Sequence, residues 1–528
     1  MHVNYQGIQD KASWQKIGVS LPSYDWAKVC ESTRENPVWL HFGAGNIFRG
    51  FIAGLQDRLL NQGLAKSGII AVETFDYEII DKIYAPHDSM TLMVSLRPDG
   101  KTEKNIIASI THGVKSENMS ELREIFTKPS LQMISYTITE KGYAIRDLKG
   151  EYLGVVAQDI ASGLENPKHA MSITAALLHA RFKANAAPIA VVSMDNCSHN
   201  GEKLRTSVLE IVNAWKSNGF VTQEFVNWIS DESKVSFPWT MIDKITPRPA
   251  DSVYKELVSL GVDNMEVVIT SKHTYIAPFV NAEIPQYLVI EDRFPNGRPA
   301  LEKAGVYMTD RDTVNKTERM KVTTCLNPLH TGLAVFGCML GYEKIADEMN
   351  DPDLRKLVER IGYDEGLPVV TNPGILDPRA FIDEVINQRL PNPFMPDTPQ
   401  RIATDTSQKI AIRFGETLKS YNTNAGKLVA IPLVLAAWLR YLLGIDDNAN
   451  EMKLSPDPML EQLQNELKSV KFGKPESARE ALEPILTNVN IFGVNLESVG
   501  LAEKVQDMFA EMLAGPGAVR ATLKKYVY

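Results

Sequence analysis

The apolar run VWLHFG (38–43) ends on Gly43, and Ala44, Gly45, Asn46, Ile47, Phe48 and Arg49 lead from it into a helical stretch. Gly43 and Gly45 permit a tight turn and close approach of a pyrophosphate. The free N–H groups and partial positive charge of a helix N-terminus would complete an anion site. Phe48 stands where the usual fingerprint has a third glycine, so the reading rests on context: the loop follows a strand and opens a helix. An acid after the second strand is expected at the adenosine ribose. Glu73, closing GIIAVE (68–73), is the first choice and Asp76 the second. A carboxylate there favours NAD over NADP by repelling the extra phosphate. ITEKGY (138–143), with Thr139, either touches the cofactor or turns the chain.

Four further segments concentrate polar residues in apolar surroundings: MDNCSHNG (194–201), FPWTMIDKITPRP (237–249), ERMKVTTCLNPLHTGLA (318–334) and RIATDTSQK (401–409). None supplies a convincing set of metal ligands, and Cys197 and His199 read as loop residues. Several of these residues also have ordinary structural readings. Asn327 before Pro328 suits a helix N-cap. Asp243 suits a salt bridge to Arg248, and Glu318 a solvated helix face.

The elements that must hold these segments differ between the two halves. Val- and Ile-rich runs (38–43, 68–73, 133–139, 189–195, 266–271) alternate with helical patterns such as 51–64 and 170–186. That rhythm predicts a mostly parallel sheet covered by helices. From about Thr317 helical periodicity dominates, with the proline-rich loop LPNPFMPDTPQ (390–400) between helices. We place the domain change near residue 310, giving domains 1–310 and 311–528.

The chain has 528 residues, 44% hydrophobic and 23% charged, as expected of a globular protein with two large domains. A net charge of -9 argues against a general nucleic-acid binder, which needs a basic face. The scattered cysteines, Cys30, Cys197, Cys325 and Cys338, contain no CxxC pair and suit a reducing cytoplasm. The N-terminus has no apolar core of signal-peptide length. The longest apolar stretch, IPLVLAAWLRYLLGI (431–445), is interrupted by Arg440 and reads as a buried helix rather than a membrane span.

Taken together, HFGAGNIFRG, ITEKGY, DNCSHNG, FPWTMIDKITP, the Lys321–Asn327–His330 segment and the Arg401-to-Lys409 spacing resemble the polyol-specific long-chain dehydrogenases, the mannitol dehydrogenase family. The resemblance runs over nearly the whole chain. It implies a Rossmann-type α/β N-terminal domain, a mostly helical C-terminal substrate domain and NAD(H) as cofactor without a metal. By the same resemblance Lys321 is the catalytic lysine, Asn196 and Asn327 hold the reacting oxygen, and His330 lies beside it. Asp243 is a supporting carboxylate, Arg401 and Lys409 are substrate-side cations, and Glu318 serves water and proton access. The family pattern has four residues between the lysine and the first asparagine. Here there are five, Val322 to Leu326, and a local bulge would absorb the extra one.

The chemistry is self-consistent. Oxidising a secondary alcohol requires removal of the hydroxyl proton while hydride leaves for the nicotinamide. A neutral lysine can take that proton in place of a metal-bound base. Starting near ~10.4, its pKa must fall by about two to three units, which desolvation and neighbouring cations supply. Amide N–H groups can stabilise the developing alkoxide. Arg401, Lys409, Lys244 and Arg248 would suit a carboxylate, so D-mannonate and D-fructuronate are the expected pair. Mannitol with fructose comes next, then D-altronate with D-tagaturonate. A catalytically silent NAD-binding sensor is the expectation from another class. The partner is thus a small molecule, and the chain a monomer or small homo-oligomer.

Overall fold

A computed structural model describes residues 1–147 and 149–528. The chain divides into two compact units, Met1–Asn315 and Lys316–Tyr528.

The first unit is built on six strands: β1 (Trp39–Phe42), β2 (Ile69–Glu73), β3 (Ile110–Lys115), β4 (Met133–Tyr136), β5 (Ile189–Ser193) and β6 (Val235–Ser236). They form one all-parallel sheet in the order β3-β2-β1-β4-β5-β6. This is the doubly wound dinucleotide-binding order, which reverses between β1 and β4. Side chains alternate between two cores. Leu40, Phe42, Ile134, Tyr136 and Val191 enter one core, while Trp39, Met133, Ala190 and Val192 enter the other. Burial on both faces explains the nearly continuous apolar runs of the central strands.

The helical patterns become α1 (Ala53–Asn61), entered through a π-turn at Phe48–Ile52, and α2 (Ala170–Ala184). EVVITS does not join the sheet. Only Val268–Ile269 is extended, paired with Tyr275–Ile276, and Ile269 is 54% exposed. A turn through His273, at φ +62, cuts the strand short. Conversely, β3 has no conspicuous apolar run, because it is the edge strand and buries chiefly Ile110 and Val114.

The second unit is helical. It opens with α3 (Arg311–Met320), a helix that begins in the first unit. There follow a π-turn at Lys321–Cys325 and α4 (Asn327–Leu340). α4 packs against α5 (Ala430–Tyr441), every residue of which is buried. Arg440 lies inside α5 because its guanidinium donates to the carbonyls of Ile445 at 2.7 Å and Met512 at 3.2 Å. Glu365 accepts the N–H groups of Val429, Ala430 and Ile431 at 2.6–2.7 Å, satisfying donors at the helix start. Among the described residues no helix is long and apolar enough to cross a membrane.

Candidate active site

At the carboxyl ends of β1, β2 and β4 lies a cavity of about 710 Å³. Its walls include Gly43, Gly45, Glu73, Asp76 and Thr139, together with Phe75 and Thr137. Gly43 has φ +104, and a Cβ there would meet the Thr137 carbonyl oxygen at 2.2 Å, so only glycine fits. The side chains of Asn46, Ile47, Phe48 and Arg49 do not line this cavity. The π-turn carries Phe48 into the core, stacked on His41 with ring centres 3.9 Å apart.

The two acids have separate roles. Glu73 is buried in the cavity wall. Its Oε2 accepts the Ala44 N–H at 2.9 Å, and its Oε1 accepts those of Thr74, Phe75 and Asp76 at 2.9–3.1 Å. It therefore laces the glycine loop to the end of β2. Asp76 accepts the Thr270 hydroxyl on Oδ2, while Oδ1 is buried without a partner. Beside it the Phe75 ring is 68% exposed, with the Lys272 ammonium 5.3 Å from its centre. Arg49 donates to Asn46 Oδ1 at 2.9 Å, but its Nε and Nη1 are buried without partners. Burial pushes its guanidinium down to about 10.

Two buried networks shape the cavity wall, and neither was foreseen from the sequence. Trp39 Nε1 donates to Ser135 Oγ at 2.7 Å, and Ser135 Oγ lies 2.6 Å from His41 Nδ1. His41 Nε2 lies 2.8 Å from Thr137 Oγ1. Burial holds His41 well below its ordinary pKa, hence neutral. The neutral ring donates through one nitrogen and accepts through the other, so it joins the two hydroxyls into one line. Thr137 itself stands in the cavity wall. In the second network Asp195 accepts the N–H groups of Ile138 and Thr139 at 2.8 and 2.9 Å and the Tyr143 hydroxyl at 2.6 Å. It thereby holds Thr139 at φ +64, a region costly for a side-chain-bearing residue. An acid at a strand end beside Asn196 was the available signal for this role.

Asn196 follows Asp195 directly and is exposed. Its loop is fixed by Asn200, which donates to Thr240 Oγ1 at 2.8 Å and accepts from Thr240 N at 3.0 Å. Asp243 is buried at the end of the strand Thr240–Asp243. Lys244 donates to the Glu283 carbonyl at 2.8 Å, and Arg248 stacks over Tyr275 at 4.4 Å.

In the second unit the extra residue between Lys321 and Asn327 is absorbed by the π-turn, closed by Leu326 N–H donating to the Lys321 carbonyl at 3.1 Å. Lys321 is 2% exposed, with Glu318 three residues earlier on the last turn of α3. Leu326 occupies the N-cap position, so Asn327 is the first helical residue and not the cap. Among the described residues its side-chain amide has no hydrogen-bond partner. His330, one turn on, has Nε2 3.5 Å from Asp397 Oδ2, without hydrogen-bond geometry. Burial, then Arg413, Arg401 and Arg389, push its pKa down to about 3, so the ring is neutral. Arg401 pairs with Asp397, and Lys409 donates to the Thr404 carbonyl. The unit thus assembles a buried lysine, an open amide, a neutral imidazole and several cations. Such a set can move a proton from an alcohol and hold an anion. Among the described residues no three His, Cys, Asp or Glu side chains are grouped to hold a metal ion.

Two family models match the chain: the mannitol dehydrogenase Rossmann domain over residues 38–303, and the mannitol dehydrogenase C-terminal domain over 313–513. A D-mannonate oxidoreductase of Thermotoga maritima is 53% identical, covering 100% of this chain and 99% of its own. The Pseudomonas fluorescens mannitol 2-dehydrogenase, solved as a ternary complex with NAD and D-mannitol, is similar with TM-score 0.71 and 26% identity, over 99% of each chain. A substrate-free D-sorbitol dehydrogenase shares the fold, with TM-score 0.83 and 24% identity, over 99% of this chain and 100% of its own.

Proposed function

This chain belongs to the mannitol dehydrogenase family, and from that premise we propose that it is an NAD-dependent oxidoreductase interconverting D-mannonate and D-fructuronate. The observation that carries the substrate is the 53% identity, end to end, with a D-mannonate oxidoreductase. The first unit's cavity fits the cofactor. Asp76 Oδ1 is a buried acceptor in need of a donor such as a ribose hydroxyl, and the loop at Gly43 tolerates no side chain. Glu73 keeps the glycine loop in place.

NAD, when bound, would supply the acceptor for the hydride leaving the carbinol carbon. The chain's own residues handle the proton and the charge. Lys321, nearly sealed from bulk water, takes the hydroxyl proton as a neutral amine. Asn327, whose amide is uncommitted, donates an N–H group to the oxygen as negative charge develops. His330 stays neutral and orients that oxygen by hydrogen bonding. Glu318 lies one turn from Lys321 and gives the proton a way out. The four cysteines are unpaired, which suits a reducing cytoplasm.

The test is turnover with NAD on D-mannonate, D-altronate and D-mannitol. D-mannonate should win in kcat/KM by about 100-fold over mannitol, since a site built for a charged group rejects the neutral analogue strongly. A preference for mannitol overturns the substrate reading. In the same assay Lys321→Ala should lower kcat by ~10²–10⁴ while NADH affinity is unchanged. The rising limb of the pH profile for oxidation should vanish with it. A folded Lys321→Ala enzyme with near-normal kcat would rule out the lysine.

A further inference from the structure

The cations around His330 are not equivalent. Arg401 is neutralised by Asp397, the carboxylate that also approaches His330. Lys409 is a compact charge engaged with the Thr404 carbonyl. Arg413 is different. Its Nη1 donates to Thr331 Oγ1 at 2.6 Å, and Thr331 in turn donates to the Asn327 carbonyl at 2.9 Å. Its partner is therefore a neutral hydroxyl, and among the described residues no carboxylate pairs with it. It is half-buried, in the π-turn Ala411–Gly415, and tied to the turn of α4 that carries Asn327 and His330.

A cation withdrawn from water without a counter-charge is costly unless a ligand supplies the charge. A guanidinium with one prong held by a hydroxyl still presents donors in a fork matched to a carboxylate. We propose that Arg413 holds the carboxylate of the sugar-acid substrate and so is the residue that sets preference for acids over neutral polyols. The inference rests on the sugar-acid reading and adds to it a residue that neither the sequence pattern nor Arg401 supplies. Two further features agree. Arg413 is bonded to Thr331, the residue directly after His330, so it lies at the turn that carries the imidazole. Burial also draws its guanidinium down to about 10, as expected of a cation poorly solvated while the ligand is away.

The experiment compares KM and kcat for D-mannonate and D-mannitol in the wild type, Arg413→Met and Arg413→Lys, each with NAD. Folding is checked by thermal melting and NADH binding. Arg413→Met should raise KM for mannonate by about 30- to 1000-fold while changing mannitol turnover less than about threefold. Arg413→Lys keeps the charge but loses the fork, and should raise the mannonate KM by about tenfold. If Arg413→Met fails to fold, the lysine variant carries the test on the same split. Equal losses on both substrates would make Arg413 structural and overturn the proposal, as would an unchanged mannonate KM. A wild type that ignores mannonate would sink the sugar-acid reading and this inference with it. That result is distinct from an active wild type whose mannonate KM is indifferent to Arg413.

Discussion

At Asp76 one carboxylate oxygen accepts the Thr270 hydroxyl while the other is buried and open, three residues beyond a glutamate whose oxygens serve backbone amides. On that division we propose that Asp76 governs cofactor choice. Asp76→Ala should raise the KM for NAD by about 10- to 100-fold, the worth of a charge-assisted hydrogen bond. It should also narrow the preference over NADP, because the repelling charge is gone. Measuring kcat/KM with both cofactors checks this, and an unaltered NAD/NADP ratio would return the role to Glu73. Both acids were visible in the sequence as strand-end carboxylates. Which of them was free was not, because Glu73's partners are backbone N–H groups that leave no mark on residue type.

β1 and β4 lie side by side, and between them Trp39, Ser135, His41 and Thr137 form one hydrogen-bonded line that ends at the cavity. If the line orients the Thr137 hydroxyl for the cofactor, Thr137→Val and His41→Leu should each raise the KM for NAD by about five- to tenfold. The double variant should then lose little more than either alone. Additive losses would show two independent structural defects. The strands themselves were legible, since β1, β2, β4 and β5 are apolar on both faces and the glycine loop punctuates them. The line was hidden because its members are 94 and 96 residues apart and alternate with core positions. The same holds for the smaller sheet that pairs Thr91–Leu96 with Phe279–Glu283, whose strands are brought together only by tertiary packing.

Over the whole molecule, stability should carry the mark of Glu348. It is wholly buried against α4, both oxygens lack partners, and a Cβ on Gly337 would sit 2.0 Å from Oε1. Burial, with Asp351 and Asp347 nearby, pushes its pKa up from 4.5 to about 10. The folded value lies above the unfolded one. Its contribution is therefore fully present below about pH 4.5 and is lost as pH rises toward 10. Keeping the proton at pH 7 costs on the order of 3 kcal/mol. Glu348→Gln, neutral and of the same shape, should raise Tm by several degrees at pH 8 and leave it nearly unchanged at pH 4.5. Calorimetry at the two pH values checks it, and a Tm gain independent of pH would refute the assignment. The helical character of the second unit was readable from periodicity. A lone buried carboxyl was not, because nothing in GYEKIADEM distinguishes Glu348 from its solvated neighbours.

The π-turns have a hereditary consequence. Among the described residues there are six, and four of them contain Arg49, Lys321, Arg389 and Arg413. A π-turn holds one residue more than the α-helix around it. Loss of a single codon, at Val322 for example, would restore a regular helix and leave every later side chain on the face it now occupies, with no other part of the chain rewritten. A lineage carrying such turns can thus gain or shed a residue beside a site through one small frame-preserving change while the rest of the helix keeps its register.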